Sequence, residues 1–275
     1  MSIAKTNLVN SITTAVKDSQ TKIKALESQL VSGKKVLTTE QQDTVATLSK
    51  TASSFTKPQA SITAAQNTIG VAQTAITSIN KLMRQMQQMA SLASSPSLNA
   101  SDSNNFNFRF QKLVTEIGKL ATSAKLNGTN LLSGTAGMNV VIGTDKTAAS
   151  RYFINSVNVF GMMTTGLLSG VKLDTPQNAQ EANNSIRSAM MQISNGETNL
   201  KYASSELSKK ANELTGLSVQ ASDSIKTLQN IDPVKVKEQL TQLKSKQNID
   251  YQLISQLDPD AYKSLKIASL KSGLN

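Results

Sequence analysis

The chain has no cysteine, no histidine and no tryptophan, and only 4% of its 275 residues are aromatic. The first two absences exclude a disulfide framework, a thiolate nucleophile, an imidazole base and any His/Cys metal site. Acid–base chemistry would have to rest on carboxylates or lysine alone. No constellation of such residues is visible, so the chain reads as non-enzymatic and free of cofactors. A Gly-rich phosphate loop of the Walker or dinucleotide type is missing too. Long apolar runs are also absent. Lys5 and Lys17 interrupt the first twenty residues, and no stretch approaches the ~20 apolar residues of a membrane helix. The expectation is a soluble chain without a cleaved signal peptide and without a membrane partner.

What is present is Ala, Ser, Thr, Asn, Gln and Leu in quantity, a composition suited to long helices packed in thin bundles. The net charge is +11 and the isoelectric point is near 9.7, which raises an anionic partner as a question. The basic residues are scattered, with Lys34-Lys35 and Lys209-Lys210 the only adjacent pairs. They read as a solvated positive surface and not as a nucleic-acid site. Phe106-Asn107-Phe108-Arg109-Phe110 alternates rings with a cation, as a base-stacking platform would. Phe106 and Phe110, however, fall on a helical stripe, which favours core packing.

Apolar spacing supplies the fold. Ile12, Val16, Ile23, Leu26 and Leu30, with Ser19 filling one slot, mark a helix with a single buried stripe that stops at Gly33. Lys34 to Thr44 has no clear period and reads as a connector. Ile62, Ile69, Ile76 and Met83 recur every seven residues, each followed three residues later by Ala65, Ala72, Ile79 and Met86. That a/d pattern calls for a helical partner along its length. Pro58 must start or kink this helix. After a loop from Ser94 to Asn105, a third run carries Phe106, Phe110, Leu113, Ile117, Leu120 and Ala124, and is expected to end at Asn127-Gly128.

From Asn130 to Leu173 the character changes. Val140-Val141-Ile142, Tyr152-Phe153-Ile154, Val157 and Val159 lie in short runs punctuated by glycine, which predicts one or two β-hairpins with a turn near Asp145. Ile186, Ile193, Leu200, Leu207, Leu214, Ala221 and Leu228 then lie seven apart without a break. As one helix those 43 residues would be ~64 Å long, a rod that must lie along other helices. Asp232-Pro233 pairs an N-cap residue with a proline at the first helical position. It opens a run with Val236, Leu240, Leu243, Ile249, Leu253 and Leu257, and Asp258-Pro259 repeats the device for a last helix ending near Leu270. The fold class is therefore mainly α: a long antiparallel, coiled-coil-like helical bundle with a small central β-hairpin segment.

Four local stretches resemble the flagellins and their hook-junction relatives. Leu30-Val31-Ser32-Gly33-Lys34 resembles the family's Leu-x-Ser-Gly-Lys/Leu turn after the first helix. Ala72-Gln73-Thr74-Ala75, just after Asn67, resembles its Ala-Gln-Thr-Ala stretch. Leu126-Asn127-Gly128-Thr129-Asn130-Leu131-Leu132-Ser133-Gly134 is similar to its Phe-Asn-Gly-x-x-Leu-Leu-x-Gly junction, and Ile231-Asp232 sits at its Ile-x-Asp-x-Asp motif. The four occur in the family's order and span nearly the whole chain. There are departures: Glu40 and Asp43 are spaced where the family has an acidic pair, Pro58 interrupts the second helix, and the charge is basic.

The resemblance implies a structural subunit that polymerises into a bacterial flagellar filament for motility. It is expected to be extracellular, with itself, an export chaperone and hook and cap proteins as partners. A hook–filament junction protein and a flagellin-like surface adhesin are the alternatives. It divides the chain into an N-terminal inner-core helix (1–35), the N-terminal half of a rod domain (36–134), a β-hairpin segment (135–173), the long C-terminal rod helix (174–230) and C-terminal inner-core helices (231–275). The apolar residues named in the two end segments, except Ile249, would serve assembly. Ile62, Ile69, Ile76, Met83, Ile186, Ile193, Leu200, Leu207 and Leu214 would form the rod core. Many flagellins also carry an Arg followed three residues later by a Glu on the second helix, where an animal Toll-like receptor recognises them. Aligned through Ile79 and Ala90, those positions here are Gln85 and Gln88.

Overall fold

The computed structural model describes the backbone of residues 2–272 and the side chains of residues 4–268. Met1 and residues 273–275, the extreme ends of the two expected inner-core segments, lie outside the described residues. Among the described residues there are eight α-helices: α1 (Ser2–Ser32), α2 (Thr39–Ser54), α3 (Thr56–Ala93), α4 (Ala100–Ser123), α5 (Val159–Thr164), α6 (Pro176–Gln229), α7 (Pro233–Leu257) and α8 (Pro259–Ser272). Two small antiparallel strand pairs lie between α4 and α5: β1 (Lys125–Leu126) with β2 (Thr129–Asn130), and β3 (Met138–Val141) with β4 (Arg151–Ile154). The fold is a helical bundle with a small β segment. Residues 1–50 with 220–275 form one compact unit and residues 51–219 form another.

In the 51–219 unit, one face of α3 is buried along its whole length. Ile62, Ala65, Ile69, Ala72, Ile76, Ile79, Met83 and Met86 are each at most 1% exposed. From α6, Ile186, Ile193, Leu200, Leu207 and Leu214 join the same core, together with Phe110 and Ile117 of α4. The polar edge of the seam shows its register. Gln59 Nε2 donates to Thr215 Oγ1 at 3.2 Å, and Gln66 Nε2 donates to Ser208 Oγ at 2.8 Å. Each partner steps by seven residues in opposite directions, so α3 and α6 run antiparallel in heptad register. The β3–β4 hairpin is tied to α3 where Val141 N donates to Ser61 Oγ at 2.9 Å.

Several boundaries differ from the sequence-based expectation, each for a local reason. The expected connector 34–44 holds the start of a helix. Thr38 N donates to Gln41 Oε1 at 3.2 Å and Gln41 N to Thr38 Oγ1 at 3.3 Å, a capping box that opens α2. Because α2 buries no residue, it has no apolar stripe for periodicity to detect. The expected 94–105 loop gives way to α4 at Ala100, where Asn99 caps Asp102 N at 2.8 Å. Pro58 lies in the first turn of α3, where no helical donor is lost. The third run ends at Ser123 and not at Asn127-Gly128. That pair forms the loop between β1 and β2, with φ +51° and +81°. Positive φ at both central residues is the requirement of a type I′ hairpin, which Asn-Gly meets best. Val157 lies past the second hairpin and Val159 opens α5.

Candidate assembly surface

Within the unit formed by residues 1–50 and 220–275, α1 and α7 pair antiparallel. Gln20 Nε2 donates to the Tyr251 hydroxyl at 2.6 Å, and Lys244 Nζ lies 2.7 Å from Glu27 Oε1. Here too both partners step by seven in opposite directions. The chain turns at Gly33 (φ +65°), where Lys35 N donates to Gln229 O at 2.7 Å. Asp232 caps α7 by accepting from Val234 N at 3.0 Å and Lys235 N at 3.2 Å. Asp258 caps α8 from Asp260 N at 3.2 Å and Ala261 N at 3.0 Å. These caps fix where the two C-terminal helices begin and how α8 folds back on α1.

The core of this unit is small. Ile12, Val16, Ile254 and Leu265 form it, with Tyr251 and Tyr262 in an edge-to-face pair whose centroids lie 6.0 Å apart. Of the residues the sequence assigned to assembly, Ile12, Val16, Ile23 and Val236 are buried within the unit. Leu26, Leu30, Leu240, Leu243 and Leu257 are half-buried, and Leu253 is 43% exposed. Leu26 and Leu243 both line an open groove of about 500 Å³, together with Lys22, Gln29, Gln242 and Lys246.

Exposed apolar side chains of this unit outside the assembly set include Val31 at 90% on α1, Ile267 at 55% on α8 and, on α7, Val234 at 74% and Ile249 at 63%, the last within the apolar run read from spacing. On α7 the signal is a second stripe. Ile249 and Leu253 are four residues apart on α7, offset by ~100° or more from buried Ile254. A single-stripe reading takes both sets for one face.

In the 51–219 unit, Gln85 and Gln88 are exposed on α3 beside exposed Arg84. Phe110 is fully buried and Phe106 half-buried. Phe108 points outward with Lys112 Nζ 4.4 Å from its ring centroid, so the three rings do not share a stacking face. Asp145, between β3 and β4, accepts from Ser150 Oγ, from Thr147 Oγ1 at 2.6 Å and from Thr147 N at 3.1 Å. These bonds hold its carboxyl below the ordinary value of 3.8. Among the described residues no group of His, Cys, Asp and Glu is placed to hold a metal ion, and no helix is long and apolar enough to cross a membrane.

Residues 3–137 match the bacterial flagellin N-terminal helical region. Flagellin of Listeria innocua is 22% identical over 198 residues, which cover 67% of this chain and 69% of that one. Flagellin FljK of Caulobacter vibrioides is 24% identical over 235 residues, 84% of this chain and 85% of its own. The crystal structure of Bacillus cereus flagellin overlaps with a TM-score of 0.49 at 19% identity, covering 56% of this chain and 88% of that one. The family match over the N-terminal half, together with relatives aligned over most of their length, shows that the chain belongs to the bacterial flagellin family and is a structural subunit of the flagellar filament.

Proposed function

We propose that this chain polymerises through its terminal unit, and that the contacts between copies form on apolar faces that a single copy leaves open. One observation carries this reading: α7 is apolar on two faces, and only the face of Val236 and Ile254 is covered within the chain. Val234, Ile249 and Leu253 stay in solvent. Full burial of an exposed Val, Ile or Leu is worth ~1.5–3 kcal/mol, and these partly exposed side chains would each gain a fraction of that in proportion to the area covered. The same contact would recur at every subunit of an open helical lattice. The buried α1–α7 residues then act indirectly, by presenting the outer faces. The half-buried Leu26 and Leu243 line a second place where a neighbour's side chains fit.

The subunit is non-enzymatic in this reading and acts outside the cell. By family likeness it meets an export chaperone before assembly and hook and cap proteins at the filament's two ends.

Purified protein seeded with filament fragments and viewed by negative-stain microscopy tests the proposal. The wild type should elongate the seeds. A variant carrying Ile249→Lys and Leu253→Lys should keep its helical circular dichroism and fail to elongate them. If the double variant elongates seeds as fast as the wild type, these faces are not the contacts.

A further inference from the structure

The chain contains two Asn-Gly pairs, Asn127-Gly128 and Asn195-Gly196, in opposite settings. Asn195 sits inside α6, where the helical ladder fixes its ψ and engages the following amide. Asn127 and Gly128 are the exposed two-residue loop of a hairpin whose strands are two residues each. Asn127 holds a left-handed φ of +51°, and Gly128 has no Cβ to block approach to its nitrogen.

We propose that Asn127 is a site of spontaneous covalent modification in the folded protein, and that Asn195 is its protected counterpart. The backbone nitrogen of Gly128 attacks Cγ of Asn127, closing a five-membered imide. The bond from Cγ to the side-chain nitrogen breaks, and ammonia leaves with the proton from the Gly128 amide. One water opens the ring at either carbonyl, giving aspartate or isoaspartate. Water is consumed, ammonia is released and no oxidant is needed. A neutral side chain becomes a carboxylate, and in the isoaspartate product the main chain gains one methylene.

The position gives the modification a structural consequence. The loop sets the register Leu126↔Thr129 and Lys125↔Asn130. Asn130 is the residue that closes the end of α4: its Nδ2 donates to Ala121 O at 2.8 Å and Thr122 O at 3.1 Å. Its Oδ1 accepts from Leu132 N at 2.7 Å and Ser133 N at 3.0 Å. An extra methylene in a two-residue turn breaks that register and pulls Asn130 off the helix end.

The test is to age the full-length protein in mildly alkaline buffer and follow both Asn-Gly peptides by mass spectrometry with isoaspartyl methyltransferase labelling. Modification at Asn127 should exceed that at Asn195 by about tenfold or more, because Asn195 reacts only from locally opened helix. The variant Asn127→Gly keeps a pair suited to the type I′ turn and should remove the isoaspartyl label from that peptide. Equal rates at the two asparagines would overturn the proposal, as would a label that persists in Asn127→Gly. Aged protein that carries isoaspartate at position 127 yet melts like fresh protein would overturn the structural consequence.

Discussion

Val157, in the segment after β4, packs directly on Gly196 in the middle of α6. A Cβ added at Gly196 would overlap Val157 Cγ1 and come within 2.7 Å of its Cγ2. Val157 has nowhere to go. It is β-branched, 7% exposed, and tied to Leu131 O through its own N–H at 2.7 Å. Gly196→Ala should therefore destabilise the 51–219 unit by ~1–3 kcal/mol through overpacking, although alanine is the better helix former by ~1 kcal/mol. Gly216, in the same helix with nothing within 4 Å of an added Cβ, provides the contrast. Gly216→Ala should stabilise by up to ~1 kcal/mol. Urea unfolding of both variants checks the pair, and equal signs would refute the packing argument.

The heptad seam makes a second prediction. Leu207 is 1% exposed in the α3–α6 core. Leu207→Lys places a charge there without a partner, at a cost of several kcal/mol, and should lower the thermal midpoint sharply. A change within ~0.5 kcal/mol, the range of exposed sites, would mean that the seam does not carry the stability of this unit.

The two heptad helices are legible from sequence because apolar residues seven apart, over four or more repeats, line up only on a helix packed along one seam. The caps at Asp232 and Asp258 are legible because Asp-Pro encodes both an acceptor and a fixed φ. What escapes has no apolar period. α2 buries nothing and shows itself only through the Thr38–Gln41 box. The end of α4 is set by Asn130 reaching back nine residues to Ala121, a tertiary bond that local spacing does not encode. By spacing alone the Asn127-Gly128 pair reads as a helix stop, whereas its positive-φ preference makes it a hairpin loop. The assembly residues read as one stripe, and the second, exposed stripe on α7 becomes separable only once Ile254 is seen buried beside exposed Ile249.

The absence of histidine and cysteine has a measurable consequence for pH. Those are the side chains that ordinarily titrate between about pH 5 and 9. The perturbed groups lie outside that window. The Asp145 carboxyl is depressed, so its contribution is present above 3.8 and is lost as pH falls through its folded value. The Tyr152 hydroxyl is raised by burial and by Tyr202 and Glu206, and the Lys209 ammonium is raised by its hydrogen bond to Glu206. Both raised groups contribute fully below their ordinary values, 10.0 and 10.5, and lose that contribution as pH rises through the folded ones. The thermal midpoint should be level from about pH 6 to 9, falling only in acid and above about pH 10. A step near neutral pH would contradict this assignment of the titrating groups.

The exposed glutamines of α3 yield the last prediction, which rests on the family likeness. The resemblance implies that flagellins recognised by the animal Toll-like receptor present to it an Arg and a Glu three residues apart, and aligning through Ile79 and Ala90 would put Gln85 and Gln88 at those positions. Both side chains are exposed. Glutamine still offers single hydrogen bonds, but it has neither the forked guanidinium nor a carboxylate charge. Removing such charge-assisted contacts costs ~2 kcal/mol or more when the receptor's own charged groups are left buried and unpaired. Arg84 is exposed as well, yet as the next residue along it points ~100° away around the helix and does not substitute. Purified monomer should therefore activate a receptor-reporter cell line weakly. The double change Gln85→Arg with Gln88→Glu should raise the response while the thermal midpoint stays put, because neither side chain enters the core. A wild-type response as strong as that of a flagellin carrying the Arg and Glu would show that recognition does not depend on this pair. A double variant that folds normally and gains nothing would show the same.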